Sequence, residues 1–256
     1  MKRPSQTFSQ RFLRKGPLAE ETYRLFTEWR FKESLDENLK SGLHGRFKTL
    51  GWEKEVVATT RSRLRHFELA KPLIALAKGG MSFADWRDCW RLFIGATEAP
   101  FGPFAIDWLY PQFVEGRHQL TSEDVRDFAK AAWKKHSPSR ALSEHGVVRL
   151  ARDLVKTASD LGLLTGRGVK RSFAGIALSD DVIVFYAHLI AGLEGSATKV
   201  EGSSLWRLAF MRPADVHAAF LRLHQFKRLD YQVAGSLIQL GLPGANALEY
   251  AESISK

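Results

Sequence analysis

From Pro17 to about Leu39, apolar residues at Leu18, Tyr23, Leu25, Phe26, Trp29 and Leu35 recur every three or four positions, the spacing of one helix face. The pattern breaks near Gly42 and Gly45. Similar periodicity predicts helices over about 52–68, 70–78, 83–97 and 103–114. Ser82 followed by Asp85 gives the 83–97 helix a capping start, and Phe83, Trp86, Trp90, Phe93 and Ile94 form its apolar stripe, with Cys89 a small buried hydrophobe beside it. The aromatic and proline-rich stretch from Ala99 to Pro111 reads as packing between core layers. Residues 17–118 thus form an all-helical domain.

After His118 the pattern changes. The TSED run at 121–124 opens a helix carrying Val125, Phe128, Ala129, Ala132 and Trp133 on one face and reaching about His136. Following a Ser-Pro-Ser turn, a longer helix starts near Ser143 and runs to Leu161, with Gly162 at the position after the helix that favours glycine. The next run, GLLTGRGVKRSFAGIAL, is two strand-like pieces around a turn of glycine and cations. Helix, turn, helix and hairpin in that order predict a winged helix-turn-helix over 119–178. In the last third, 179–256, Ser179, Asp180 and Asp181 start a very apolar helix, a short helix covers about 203–210, and Pro213 opens another helix to Phe226. The run LDYQVAGSLIQLGL then suggests a second, weaker winged-helix-like element whose turn at Gly235 carries no cation. The fold class expected is mainly α, a helical N-terminal domain followed by winged helix-turn-helix elements with short β-hairpins.

Composition narrows the function. In 256 residues, 45% hydrophobic and 26% charged, a sizeable core is available and disorder, collagen and coiled-coil rods are excluded. The single cysteine, Cys89, excludes a disulfide scaffold and multi-cysteine metal sites. The longest apolar run, 182–193, contains His188 and falls short of the ~20 residues that span a bilayer, and no apolar stretch follows the basic first residues, so a soluble cytoplasmic protein without membrane contact is expected. No GxxxxGK, GxGxxG, HExxH or GxSxG motif is present, the histidines are scattered, and His217 and His224 lie two turns apart on one helix. The expectation is a protein that is not an enzyme and needs no metal or cofactor.

The charge is the informative quantity. Thirty-eight Lys and Arg against 28 Asp and Glu leave +10, which favours a polyanionic partner, with nucleic acid ahead of a membrane surface. Residues 121–178 hold eleven cations and six acids, half the surplus in under a quarter of the chain. On the 143–161 helix, Val147, Val148, Ala151, Leu154, Val155 and Ala158 share one side, while His145, Arg149, Arg152 and Lys156 share the other. A recognition helix needs this division: one face for its own domain, the other with donors for phosphates and guanine edges. Asp153 and Asp160 also point outward, so a plain solvated face fits too. The candidate duplex-contacting residues are Arg140 and Ser143 near the helix start, His145, Arg149, Arg152 and Lys156 along it, and Arg167, Lys170 and Arg171 at the hairpin tip. Residues 1–16 carry Lys2, Arg3, Arg11, Arg14 and Lys15 and no acid, which suits a flexible basic arm that orders on phosphates, or a solubilising tail.

The chain also resembles the BrxA family, a small component of bacterial BREX phage-exclusion islands. The likeness is carried by LAEETYRLF through DENLKSGL, TTRSRLRHF at 59–67, FVEGRHQLTSEDVRDFAKAAW, DLGLLTGRG and RPADVHAAFLRLHQF, and spans roughly residues 17–242. The resemblance implies a mostly helical protein with winged-helix elements that binds double-stranded DNA without catalysis and acts in phage defence beside a methyltransferase and an ATPase. BrxA-like proteins are similar in their helical half to an RNA-binding antitermination factor, which keeps RNA open as a ligand. The family offers no binding motif to carry over, and this chain departs from it by its basic N-terminal arm and by the long turn at Gly195–Gly202. Three functions follow as expectations: a double-stranded DNA-binding accessory protein with little sequence preference, a protein–protein assembly adaptor with other BREX proteins as partners, or an RNA-binding regulator.

Overall fold

A computed structural model describes residues 6–235 and 237–255, the side chains of residues 11 and 12 excepted. Lys2, Arg3 and the Arg11 side chain therefore lie outside the described residues. The described remainder of the expected arm is ordered by contacts that a charge pattern does not reveal. Strand β1 (Thr7–Phe8) pairs in parallel with β2 (Glu98–Ala99), and the Gln6 side-chain amide donates to the Gly95 carbonyl at 2.8 Å. Helix α1 (Gln10–Lys15) follows, anchored by the buried Leu13.

The expected 17–39 helix is two helices, α2 (Ala19–Thr27) and α3 (Leu35–Leu43). Two side chains account for the break. Ser34 and Glu37 form a reciprocal capping box that starts α3 afresh. The buried Asn38 accepts from the Arg30 amide at 2.8 Å and donates to the carbonyls of Arg30 and Ser34, which holds the connecting loop closed. Helix α4 (Leu50–Arg63), capped by Thr49, passes through a 3₁₀ turn at Leu64–His66 into α5 (Phe67–Lys78). Helix α6 (Phe83–Thr97) starts at the Ser82 cap, and its apolar stripe enters the core as the spacing predicts. Trp86, Trp90 and Phe93 stack along it with ring centroids 5.4 and 4.9 Å apart, and the Trp90 indole N–H reaches the Pro17 carbonyl. Cys89 is buried beside them. The aromatic stretch forms α7 (Phe101–Pro103), a widened π-type turn at Phe104–Leu109 and α8 (Tyr110–Val114).

The middle of the chain is a small unit of two helices and a three-stranded antiparallel sheet. It contains β3 (Gln119–Leu120), α9 (Arg126–His136), α10 (Glu144–Asp160), β4 (Leu164–Thr165) and β5 (Arg171–Phe173), with strand order β3-β5-β4. Asp124 accepts from the Thr121 amide and hydroxyl, so the TSED run makes a turn and α9 begins at Arg126. Gly162 ends α10 with φ +76°.

The last third is built on α11 (Asp180–Glu194), capped by Ser179 and buried along almost its whole length. Short 3₁₀ turns at Ala197–Lys199 and Ser204–Ala209 lead to α12 (Pro213–Gln225) and the hairpin of β6 (Asp230–Ala234) and β7 (Leu237–Gly241). A last helix, α13 (Ala247–Ser253), which periodicity does not predict, is capped by Asn246 and packs on α5 and α11. The fold is mainly helical with three small sheets, and no described helix is long and apolar enough to cross a membrane. One apolar core runs through the helical, middle and last segments. Arg91 sits at their junction, fully buried: its guanidinium meets Asp88 of its own helix at 2.7 Å and the carbonyl of Leu161, the residue that caps α10, at 2.9 Å, while the Tyr186 hydroxyl from α11 donates to the Asp88 carbonyl.

His188, also on α11, donates from Nε2 to the Pro243 carbonyl at 2.8 Å and stacks on Tyr250. Burial holds it below the ordinary 6.5, partly offset by that bond and by Glu249. An imidazole that protonates less readily folded than unfolded contributes stability at neutral pH that is lost as pH falls below 6.5. Urea midpoints should therefore drop between about pH 7 and pH 5.5 in the wild type, and less steeply in His188→Gln. Equal slopes in the two proteins would remove His188 from the account.

Candidate nucleic-acid interface

The division of α10 into two faces is realised. Val147, Leu150, Ala151, Leu154 and Ala158 are buried, and His145, Arg149, Arg152 and Lys156 are exposed. The helix start is rigidly held. The Ser143 hydroxyl accepts from the Gly146 amide at 3.1 Å, and the carbonyl of Arg140 accepts the Trp133 indole N–H at 2.7 Å, fixing the turn from α9 to α10. Ser143 is thus a helix cap, and the exposed Arg140 side chain extends from a pinned backbone.

Arg149 and Arg152 lie open on the outer face of α10, with no hydrogen bond or ion pair to the described residues. Lys156 is different. It is paired with Asp160 one turn on, and it borders the junction of α1 and α2, where the backbone of Gly16 closes on the same two side chains. Helix α1 crosses the C-terminal half of α10 and brings Arg14 close enough to act on Asp153. Burial pushes the Asp153 carboxyl above its ordinary 3.8, against the pull of Arg149, Arg14 and Lys156. The open cationic surface of α10 is therefore its first half, His145 to Arg152.

The hairpin tip divides in the same way. Glycines at 166 and 168 take φ +99° and +88°, conformations that a side chain would strain, and they let five residues close the loop between β4 and β5. Arg167 and Lys170 are exposed at its end. Arg171, by contrast, turns its guanidinium back to the carbonyls of Gly168 and Lys170 and so braces the loop from within.

Pairing sets this region apart. Of its eleven cations only Arg126, with Glu123, and Lys156 have a carboxylate within ion-pair distance among the described residues. Eight of the fifteen cations between residues 17 and 118 are paired, including Arg46, Arg61, Arg63 and Arg117. Around the second hairpin, Arg212, Arg222 and Arg228 are bound to Asp215, Asp180 and Asp181. Motif reasoning passes over Lys130, Lys134 and Lys135, exposed on α9 and without an ion pair among the described residues, although the Lys-Lys-His run in its last turn is a readable signal. Phe8 stacks on His136 with centroids 3.9 Å apart, tying the N-terminal segment to that same end of α9.

Among the described residues no group of three or more His, Cys, Asp or Glu side chains lies together as a metal site. No family model matches the chain, and neither a curated protein nor a solved structure matches it.

Proposed function

We propose that the chain is a winged helix-turn-helix protein that binds double-stranded DNA with little sequence preference and carries out no catalysis. The chain order β3, α9, α10, β4, β5, with the three strands joined as β3-β5-β4, supports this reading, α10 taking the recognition position and the 166–170 loop the wing. The observation that carries the reading is the set of nine cations between Lys130 and Arg171 with no carboxylate partner among the described residues, on a surface where the first half of α10 is open. Charges kept apart from counter-charges of the same chain are available to replace the ions condensed on a duplex. The open face of α10 has no Asn or Gln to read adenine, so phosphate contact dominates, with guanine the one base its arginines suit. A role in a BREX-type phage defence, in the cytoplasm, follows from the BrxA resemblance alone.

The test is the salt dependence of affinity for random-sequence duplex DNA between about 50 and 200 mM, where 6–10 phosphate contacts change the constant by ~10³ to 10⁵. With Arg171 turned into the loop, two wing cations remain to meet phosphates. Arg167→Gln with Lys170→Gln should reduce the slope of log K against log salt by up to ~1.8, and adding Arg171→Gln should change it little further. A slope unmoved by the first pair removes the wing from the interface. A protein-docking reading has one feature of its own, the exposed Phe226, Val233 and Leu237 around the second hairpin at 67%, 44% and 75% exposure. Co-purification of a partner from nuclease-treated lysate, with no duplex binding at low salt, would favour it.

A further inference from the structure

Beside the C-terminal half of α10, a hollow of about 520 Å³ opens between the end of α1, the start of α2, α4 and α6. Three of its walls are cationic. Arg14 is exposed at its rim, Lys156 enters from α10, and Arg87 reaches it from α6. Arg87 is the most informative of these. Its guanidinium lies against Gly162, its Nε is buried without a hydrogen-bond partner, and no described carboxylate pairs with it. Nε is enclosed, so the terminal Nη groups, which are not enclosed and bind no described acceptor, are the donors Arg87 offers to an anion in the hollow.

The remaining wall is the indole of Trp52, 37% exposed, with the Lys15 ammonium 5.2 Å from its ring centre. Acids are present but largely engaged: Asp160 with Lys156, Glu20 at 4.0 Å from Arg24, and Glu55 with Lys15 at the edge, which leaves Glu21. An exposed aromatic ring beside guanidinium groups that make no ion pair with a described carboxylate is complementary to one chemical unit, a base joined to a phosphate. The hollow has room for a single nucleotide and not for a base pair, and it adjoins the helix whose first half carries the proposed duplex contacts.

We infer that this hollow receives one unpaired nucleotide, its base on Trp52 and its phosphate on Arg87, with Arg14 and Lys156 adding charge. In so far as that nucleotide belongs to a DNA strand, the inference rests on the duplex-binding reading and extends it to ends, gaps or melted junctions. The same unit as a free nucleotide is the other source, and the experiment separates the two.

Fluorescence anisotropy on the full chain would compare a blunt random-sequence duplex with the same duplex carrying a short single-stranded overhang at the 5′ or the 3′ end. Base stacking on an aromatic side chain contributes ~1–3 kcal/mol, so an overhang should bind about 5- to 150-fold more tightly. Trp52→Ala should abolish that preference and leave blunt-duplex affinity unchanged, Trp52→Phe should retain most of it, and Arg87→Gln should lower it. Because Trp52 lies at the surface, loss of folding does not confuse the result. Equal affinity for blunt and overhanging duplex in the wild type would overturn the inference and leave the duplex reading standing. If no DNA binds, titration with dAMP decides. Saturable binding lost in Trp52→Ala keeps the hollow as a free-nucleotide site, and its absence overturns the inference together with the duplex reading.

Discussion

Glutamine at both Arg149 and Arg152 is expected to weaken random-sequence duplex binding about 10- to 100-fold near 0.1 M salt and to flatten the salt slope by up to ~1.8. The magnitude follows from losing two charge-assisted contacts at roughly 1 kcal/mol or more each, with a tenfold change per 1.4 kcal/mol. These two are chosen because they occupy the open half of α10 and make no hydrogen bond or ion pair to the described residues, Arg149 acting on Asp153 only through its field. The control is Arg222→Gln with Arg212→Gln, two cations already bound to Asp180 and Asp215. If the control pair reduces binding as much as the α10 pair, the effect is one of net charge, and α10 loses its assigned role.

Arg91→Ala is expected to cost about 3–5 kcal/mol in urea unfolding, the range for breaking a buried ion pair by removing one partner. Its guanidinium is the polar node on which α6, the end of α10 and, through Asp88, α11 converge. Two of its nitrogens, Nε and Nη2, are nonetheless buried without a hydrogen-bond partner among the described residues. Arg91→Met, which fills most of the space but leaves Asp88 and the Leu161 carbonyl unpaired as alanine does, should recover only the part of the loss that comes from the cavity. Equal destabilisation by alanine and methionine would mean that the bonds to Asp88 and Leu161, and not the filled volume, carry the stability.

The contrast between α10 and its surroundings shows which information a sequence holds. The two faces of α10, its Ser143 start and its Gly162 end are local properties of periodicity and capping, and they are legible without coordinates. The hairpin over 164–173 is legible for the same reason, since glycines at 166 and 168 allow few other backbones. Lys156 marks the limit. Helical spacing places it beside Arg149 and Arg152, but only the fold shows α1 lying across that half of the helix and Asp160 holding the ammonium. Arg171 is a limit of another kind, because the direction of its side chain is decided by the loop carbonyls it meets. Helix α13 escapes detection because seven residues make about two turns, too few for a reliable period, and its docking on α5 and α11 stabilises it instead. The hollow at Trp52 joins residues 14, 52, 87 and 156, four separate elements with no common motif.

The parallel pairing of β1 with β2 carries a consequence for how the chain is made. Gln6 and Gly95 stand 89 residues apart in sequence, and α1 must wait for α4 and, longer still, for α10, so none of the docking sites of residues 6–15 exists when those residues leave the ribosome. Helices α2 to α6 have local partners and can gather as they emerge, whereas closing a loop of this length carries a large entropic cost until α6 is in place. The N-terminal segment therefore joins the fold late, as a clasp added to a body already assembled. In a pulse of synthesis it would remain open to protease after the helical body has become resistant.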